Sequence, residues 1–481
     1  MKENKLFAQR IGLLGFTSVL SIIIKLLLVP ILTKNMPVSE YGIWVQVNAT
    51  IGLIPPIVGL GLPFAIVRFL ASTRNKKELQ EGFYSISIIV LIISGVVSLI
   101  FFLFATPLSR ILFNNNLSVT RILPVILFTQ SLIDLPMNLF RVLQKIKIHC
   151  SFLLLDMILT VSFASYFVFL GDGIYGAIFG LLISKILILV SMTALVLYKI
   201  GFSTPRFINT KKYISFSIPL LPSNFSSWII NSSDRYLITI FLGTAFVGYY
   251  APGYTLGSFI QMFASPFSFI LPPVLSKYFD EKNIDQVKKI LKYSIKYYLL
   301  ITIPAIFGLS ILSKSILRIL TTPEISTFGY LITPFTAVSY LIYGVQGIIG
   351  NILIINNKTK IAGLAVSLSA IVNLSLNVFL IPIIGINGAA LTTLIGFLIN
   401  FIITVYYSAK YIKFDSNLKF IMKSLVSSSI MSLLIFYLNP FNLNDLLFTI
   451  AVSAGLYFVI IFLFKGINKE EIRFFLNLLK N

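Results

Sequence analysis

Gly173-Ile174-Tyr175-Gly176-Ala177 opens a long apolar run that closes on Lys199, and Gly385-Ile386-Asn387-Gly388-Ala389 opens another that closes on Lys410. The two openings lie 212 residues apart. Other features return at nearly the same offset. Tyr41-Gly42 and Gly248-Tyr249 each stand at the head of an apolar run, one carrying Pro55-Pro56 and Pro63, the other Pro266 and Pro272-Pro273. Gln144-Lys145 after one run is matched by Asn356-Asn357-Lys358 after another. Six apolar runs separate the copies. An even number of membrane crossings keeps both copies in the same orientation, so the repeat axis runs along the membrane normal.

The runs are of membrane length. Of 481 residues, 57% are hydrophobic and 11% charged, with a mean hydropathy of +0.94. Such a chain is a polytopic helical membrane protein; a membrane β-barrel would show short alternating strands instead. The sequence predicts an all-α fold of fourteen spans: 9–33, 41–67, 83–106, 119–143, 151–170, 174–198, 212–241, 247–274, 293–314, 326–355, 361–381, 386–409, 421–438 and 446–464. They group as a six-helix lobe at 1–205, a second at 206–412, and an addition at 413–481 of two helices and an amphipathic cytoplasmic tail (Ile472, Phe475, Leu476, Leu479). The first run has no small-residue cleavage site and reads as a retained helix.

Orientation follows from Lys and Arg in the loops. Thirty of the 38 basic residues fall in one set of alternate loops, which includes both termini. Five fall in the other set: Lys34, Arg110, Arg121, Lys314 and Arg318. Both termini are therefore expected in the cytoplasm. The net charge of +22 is spread over short loops, which excludes a nucleic-acid binder. One cysteine, Cys150, excludes an internal disulfide, and one histidine, His149, excludes a His-rich metal site. External carboxylates (Glu40, Asp172, Glu324, Asp445) are scattered on short loops, which argues against a polymerase or ligase. The segment 280–296, with Ile284, Val287, Ile290 and Leu291 at helical spacing, predicts an amphipathic helix at the interface.

The remaining basic residues, Lys25, Lys185 and Arg235, sit mid-run. Each costs roughly 2.5–3.5 kcal/mol at the centre of a span, so each implies a bundle interior or watery cavity and a partner. A substrate anion is one such partner, Lys acting as a point charge and Arg as a fork. An internal carboxylate is the other. Asp134 lies deep in the fourth span, Asp156 nearer the cytoplasmic end of the fifth, and Asp234 beside Arg235, where adjacent helix positions do not face each other. Lys25 and Arg235 lie at corresponding depths of the two copies, while the repeat partner of Lys185 is apolar, near Phe397.

Ser233-Asp234-Arg235-Tyr236-Leu237-Ile238 through Phe241-Leu242-Gly243, followed by Val247-Gly248-Tyr249-Tyr250-Ala251, resembles the polysaccharide-transporter branch of the MOP exporter superfamily. Its members are Wzx-type flippases for O-antigen and capsule repeat units. The resemblance covers the whole length and includes the Gly-x-x-Gly-Ala openings. It implies a V-shaped, two-lobed MOP/MATE-like fold, a cationic cavity and alternating access. It also implies transport of polyprenyl-diphosphate-linked oligosaccharides across the bacterial cytoplasmic membrane for surface polysaccharide biosynthesis. A lipid II flippase and a MATE-type cation-coupled multidrug antiporter are the alternatives. On this reading Lys25, Lys185 and Arg235 form a cationic substrate site. Asp134 and Asp234 bind a coupling ion or neutralise a buried cation. Arg68 meets the diphosphate at the cytoplasmic mouth, and Gln46, Asn48, Trp228 and Asn231 contact sugar. No cofactor is expected; with no Gly-x-x-x-x-Gly-Lys-Ser/Thr loop for ATP, uphill work falls to a proton or sodium gradient or to consumption of product. A monomer is expected, in contact with membrane lipids and with a polysaccharide polymerase.

Overall fold

In hydrocarbon, every backbone N–H and C=O must be paired within its own segment, which helices achieve. The computed structural model describes residues 2–71, 73, 75–414 and 417–466, in which helices joined by short loops are the regular structure, without strands. The tail at 472–479 lies outside the described residues. The chain packs as two compact units, Met1–Gly248 and Tyr249–Asn481.

The first unit holds α1 (Lys2–Asn35), α2 (Val38–Val58), α3 (Leu62–Ala65), α4 (Lys76–Leu103), α5 (Ala105–Leu112), α6 (Leu117–Val142), α7 (Ile146–Phe169), α8 (Gly173–Ile200), α9 (Thr210–Ser217) and α10 (Leu221–Leu242). Helix α11 (Thr244–Ser258) begins in it and continues into the second unit. The second unit adds α12 (Gln261–Asp280), α13 (Ile284–Leu320), α14 (Pro323–Gly329), α15 (Ile332–Ile355), α16 (Thr359–Ile384), α17 (Ile386–Ala409), α18 (Leu418–Leu438) and α19 (Leu443–Leu463). Each of the fourteen predicted spans coincides with a helix or a broken pair. Among the described residues, eleven helices are long and apolar enough to cross a membrane, or twelve with α11 and α12 as one bent span. The other two long helices are α1, which carries Lys25, and α10, which carries Asp234 and Arg235.

Three spans are broken. Proline removes a helical hydrogen bond and crowds the preceding turn. After Pro55 and Pro56, α2 stops at Val58, and Leu60 and Gly61 turn left-handed (φ 48° and 68°) before α3 resumes. The chain continues as a π-turn, Ile66–Leu70, that presents Arg68. The seventh span breaks at a 3₁₀ turn, Ile218–Leu220, around Pro219. The eighth bends by 46° between α11 and α12. This bend precedes Pro266, so prolines 266, 272 and 273 lie inside a continuous helix.

The glycine motifs mark close approaches. Gly173 (φ 52°) and Gly385 (φ 63°) start α8 and α17 from left-handed backbone, which a side chain would oppose. A Cβ on Gly176 would lie 2.8 Å from Phe167, and one on Gly388 would lie 2.6 Å from the Leu380 carbonyl. In apolar surroundings such small residues let helices gain dispersion contact. The two hairpins, α7–α8 and α16–α17, share a seam about two turns further on. Thr160 and Ser184 hydrogen-bond at 2.9 Å in the first. At the matching offset, a Cβ on Gly396 would meet the Asn373 Cβ at 3.2 Å in the second.

The second unit is built around α13, whose 37 residues run without interruption from Ile284. This corrects the prediction of a separate interfacial helix at 280–296. Val287, Ile290 and Leu291 do not face lipid headgroups; they are buried in a core with Leu275, Ile352 and Phe420. Lys296, read as a loop residue, is likewise buried, with Nζ 5.1 Å from the Phe420 ring centroid. The additional pair α18–α19 docks on α13. There the Tyr457 hydroxyl donates to the Leu300 carbonyl (2.9 Å) and lies 2.9 Å from Ser424 Oγ.

At the start of α2, a Cβ on Gly42 would sit 1.8 Å from the Thr244 carbonyl oxygen. Gly42→Val should therefore destabilise the protein by about 1–3 kcal/mol through overpacking. Thermal unfolding in detergent should show a lowered midpoint, whereas Gly363→Ala, with open space around its Cβ, should not shift it. An unshifted midpoint for Gly42→Val would mean that this crossing yields easily.

Candidate polar site in the first unit

The apolar sequence of α8 is interrupted at Lys185, and its seam with α7 supplies the answer. Gly176 and Gly180 bring the two backbones together, and this register sets Lys185 opposite Asp156. Lys185 Nζ lies 2.8 Å from Asp156 Oδ1 and 2.7 Å from Oδ2. The lysine is 7% exposed. Helix α7 begins at Ile146, five residues before the predicted span, so Asp156 stands well inside it and not near its end.

Two further charges complete the group. Lys25 on α1 interacts electrostatically with both Lys185 and Asp156, as does Asp134 on α6. Asp134 Oδ1 accepts a 3.0 Å hydrogen bond from Gln130. Among the described residues, neither Lys25 nor Asp134 forms an ion pair. Lys25 is exposed. The first unit therefore holds a tight Lys–Asp pair flanked by a second ammonium and a second carboxylate.

Helix α10 carries the other group. Asp234 is buried, and Arg235 Nη1 reaches its Oδ1 at 2.8 Å. Adjacent helix positions point about 100° apart, which led the sequence reading to separate them. The arginine is long enough to fold back, and Nη1 also donates to the Asn231 carbonyl. Arg235 interacts electrostatically with Tyr41 at the head of α2. Beside it, Thr239 Oγ1 donates to Gln46 Oε1 (3.4 Å), and Thr50 Oγ1 lies 2.7 Å from the Tyr236 hydroxyl. The Gln46 Nε2 is fully buried with no hydrogen-bond partner.

Trp228 edges an apolar cavity of about 730 Å³ between α2 and the start of α10, with Gly52, Leu53, Pro56, Phe64 and Phe225 among its walls. Its indole stacks on Phe225 (6.2 Å, 10°) and donates from Nε1 to the Ala49 carbonyl (3.3 Å).

A model of the polysaccharide biosynthesis protein family matches residues 7–279, more than half of the chain. The chain belongs to that family. A MatE family model matches residues 219–379. Agl15 of Haloferax volcanii, a probable low-salt glycan biosynthesis flippase, is 27% identical over 232 residues, 48% of this chain and 49% of that protein. The chain thus spans about half the length of that curated relative. The lipid II flippase MurJ, solved in an inward closed conformation, superposes with a TM-score of 0.77 at 18% identity, over 93% of this chain and 98% of that one. An inward-facing MATE family multidrug resistance transporter of the MOP superfamily superposes at 0.62 with 15% identity, over 81% and 94%. These likenesses give this member of the polysaccharide biosynthesis protein family a MOP transporter fold.

The sequence placed Lys25 and Arg235 in different repeat copies; packing puts both in the first compact unit, because α10 packs on α2. Of the other candidates, Arg68 is exposed on its π-turn. The side-chain amides of Asn48 and Asn231 donate to Trp44 and Ser227 within their own helices. His149 Nδ1 lies 3.1 Å from the Met137 carbonyl. Sequence reading undervalued Asp156. Its spacing from Lys185 across a hairpin whose register Gly176 sets was the available signal. It also missed Glu40, whose Oε2 accepts from the Ile174 N–H (2.9 Å) at the start of α8, where a carboxylate complements the helix dipole.

Breaking one side of a buried pair costs more than replacing both. Asp156→Asn should destabilise by about 3–5 kcal/mol, and Asp156→Asn with Lys185→Met should recover most of it. A double-mutant cycle in thermal or denaturant unfolding measures the coupling. Additive single effects would show the pair to be unimportant.

Proposed function

We propose that this multi-pass membrane protein is a flippase that moves polyprenyl-diphosphate-linked oligosaccharides across a bacterial cytoplasmic membrane by alternating access, for surface polysaccharide biosynthesis. Family membership and the MOP fold support a transporter. The observation that carries the substrate class is Lys25: an ammonium in a membrane-length helix, within electrostatic reach of Lys185 and Asp156 but without an ion pair of its own among the described residues. An unmatched cation at that depth is expensive in lipid and is stabilised by a bound anion. Lys25 and Arg235 attract the diphosphate, Arg235 from a guanidinium already steered by Asp234. The Lys185–Asp156 pair holds α7 to α8 and orients the charge field around Lys25. Asp134, hydrogen-bonded to Gln130, is the group through which a proton or sodium ion would couple.

The apolar cavity beside Trp228 suits a prenyl chain better than a sugar, since its walls offer few hydrogen-bonding groups. Arg68 receives the diphosphate at the cytoplasmic mouth. Gln46, Asn48 and Asn231 provide amide contacts to hydroxyls once the helices move. Both termini are cytoplasmic on the Lys/Arg distribution. The protein works as a monomer and hands its product to a polymerase. A lipid II substrate is the second reading, supported by the superposition on MurJ over nearly its full length.

Lys25→Gln with Arg235→Gln should lower export at least about tenfold, since each cation makes a charge-assisted contact of about 1.5–3 kcal/mol. Asp156→Asn with Lys185→Met should keep most of it. Surface glycan in a strain complemented with each variant, at matched membrane expression, provides the readout. Full export by the Lys25/Arg235 variant would remove the diphosphate role from these residues. Flipping of fluorescent lipid II but not of a lipid-linked oligosaccharide in proteoliposomes would replace the substrate.

A further inference from the structure

A cavity lined by two cations lies in the second unit. The last third of α13 and the turn between α18 and α19 enclose about 540 Å³. Two cations line it, Lys314 and Arg318, four residues apart on α13 and hence on one face. Phe436, Tyr437 and Phe441 line it from the α18–α19 side, and Ile311, Leu312 and Ile435 complete its apolar lining. The three aromatics are 78%, 85% and 67% exposed. They flank Asn439-Pro440, at the joint between two membrane-spanning helices. Aromatic side chains in such positions sit at headgroup level.

The two cations are unusual for their place. Only five of 38 basic residues fall on this side of the membrane by the loop distribution, and these two share one pocket. A cation near a helix C-terminus offsets the dipole, which accounts for Arg318 in the last turn but not for Lys314 a turn earlier. Among the described residues neither is in an ion pair. The carboxylates of this unit on the same side are Glu324 and Asp445. Glu324 accepts from the Tyr249 hydroxyl, and Asp445 stands in the first turn of α19. Lys314 lies 5.6 Å from the Tyr330 ring centroid and Arg318 6.0 Å from that of Phe441, so the aromatic rings help to position both.

We propose that this pocket binds the phosphate of a membrane lipid headgroup in the leaflet read as external. Lys314 and Arg318 take the phosphate oxygens, Asn439 and Ser315 offer polar contacts beside them, and the apolar floor receives the first methylenes of the chain. The ligand is a phosphate-bearing lipid, whether a bilayer phospholipid or a lipid-linked glycan after transport. Neither the site nor its test depends on the transport reading.

The full-length protein, in nanodiscs of phosphatidylcholine containing a minor fraction of phosphatidylglycerol, should retain phosphatidylglycerol when released and weighed by native mass spectrometry. Lys314→Gln with Arg318→Gln should bind it about thirty-fold more weakly, two cations at the usual worth of a basic residue near an anionic surface. Lys314→Arg with Arg318→Lys should keep binding. Lys358→Gln with Lys360→Gln, of equal charge change elsewhere, should leave it intact. A parallel arm replaces phosphatidylglycerol with undecaprenyl diphosphate; selective loss in either arm supports the site and names the source. Equal retention by wild type and the Lys314/Arg318 variant in both arms overturns it. So does displacement of both lipids by millimolar inorganic phosphate, which would make the pocket a site for the free anion. The variants carry exposed side chains, and an unchanged thermal midpoint verifies that each is folded.

Discussion

A charge inside a membrane helix must be answered by another, and in the first unit the answer to Lys185 is Asp156. That bidentate contact depends on the close seam between α7 and α8, which in turn depends on Gly176, Gly180 and the Thr160–Ser184 hydrogen bond. Once the pair is made, Lys25 and Asp134 are left as the charges of that group without ion pairs among the described residues. Arg235 is likewise matched by Asp234. The mid-helix charges of this unit, Lys25, Lys185 and Arg235 against Asp134, Asp156 and Asp234, sum to zero. The anion of the proposed function would therefore be drawn locally, at Lys25, and not by a bare positive field.

The two hairpins that open on the glycine motifs share a geometry and differ in chemistry. At the position that corresponds to Lys185, the second unit has Phe397, buried against Tyr340 and Tyr343 with centroids at 5.7 and 5.3 Å. Tyr340 also meets the Tyr254 hydroxyl at 3.0 Å and accepts at its carbonyl from Tyr298. An aromatic and hydroxyl network thus fills the space that an ion pair holds together in the first unit. Neutral packing of this kind carries no desolvation penalty for charge. The second unit instead sets its buried Lys296 over Phe420 and its exposed Arg318 beside Phe441.

Much of the fold was legible because membrane helices announce themselves. All fourteen predicted spans are helical, and the prolines of α2 precede a real break. The misreadings have physical causes. The segment 280–296 has an amphipathic period that suits an interfacial helix and a buried first turn equally well; neighbours such as Leu275 and Phe420 decide between them. Asp234 and Arg235 looked separate because helix geometry fixes Cβ directions, while a long guanidinium stem is free to double back. Asp156 looked peripheral because hydropathy starts the helix five residues late.

The amino-acid sequence by itself determined that this is an all-helical membrane protein, with its repeat motifs, its mid-helix cations and its family. Each of these follows from composition, spacing or short motifs that act within one segment. Tertiary structure alone decided which cation is paired and which is exposed, that α10 packs with the first unit, and that Lys314 and Arg318 share a pocket with aromatics more than a hundred residues away. Those outcomes depend on helix rotation and on contacts across helices. Hydropathy is nearly blind to both, because lipid and protein interior are equally apolar to a membrane helix.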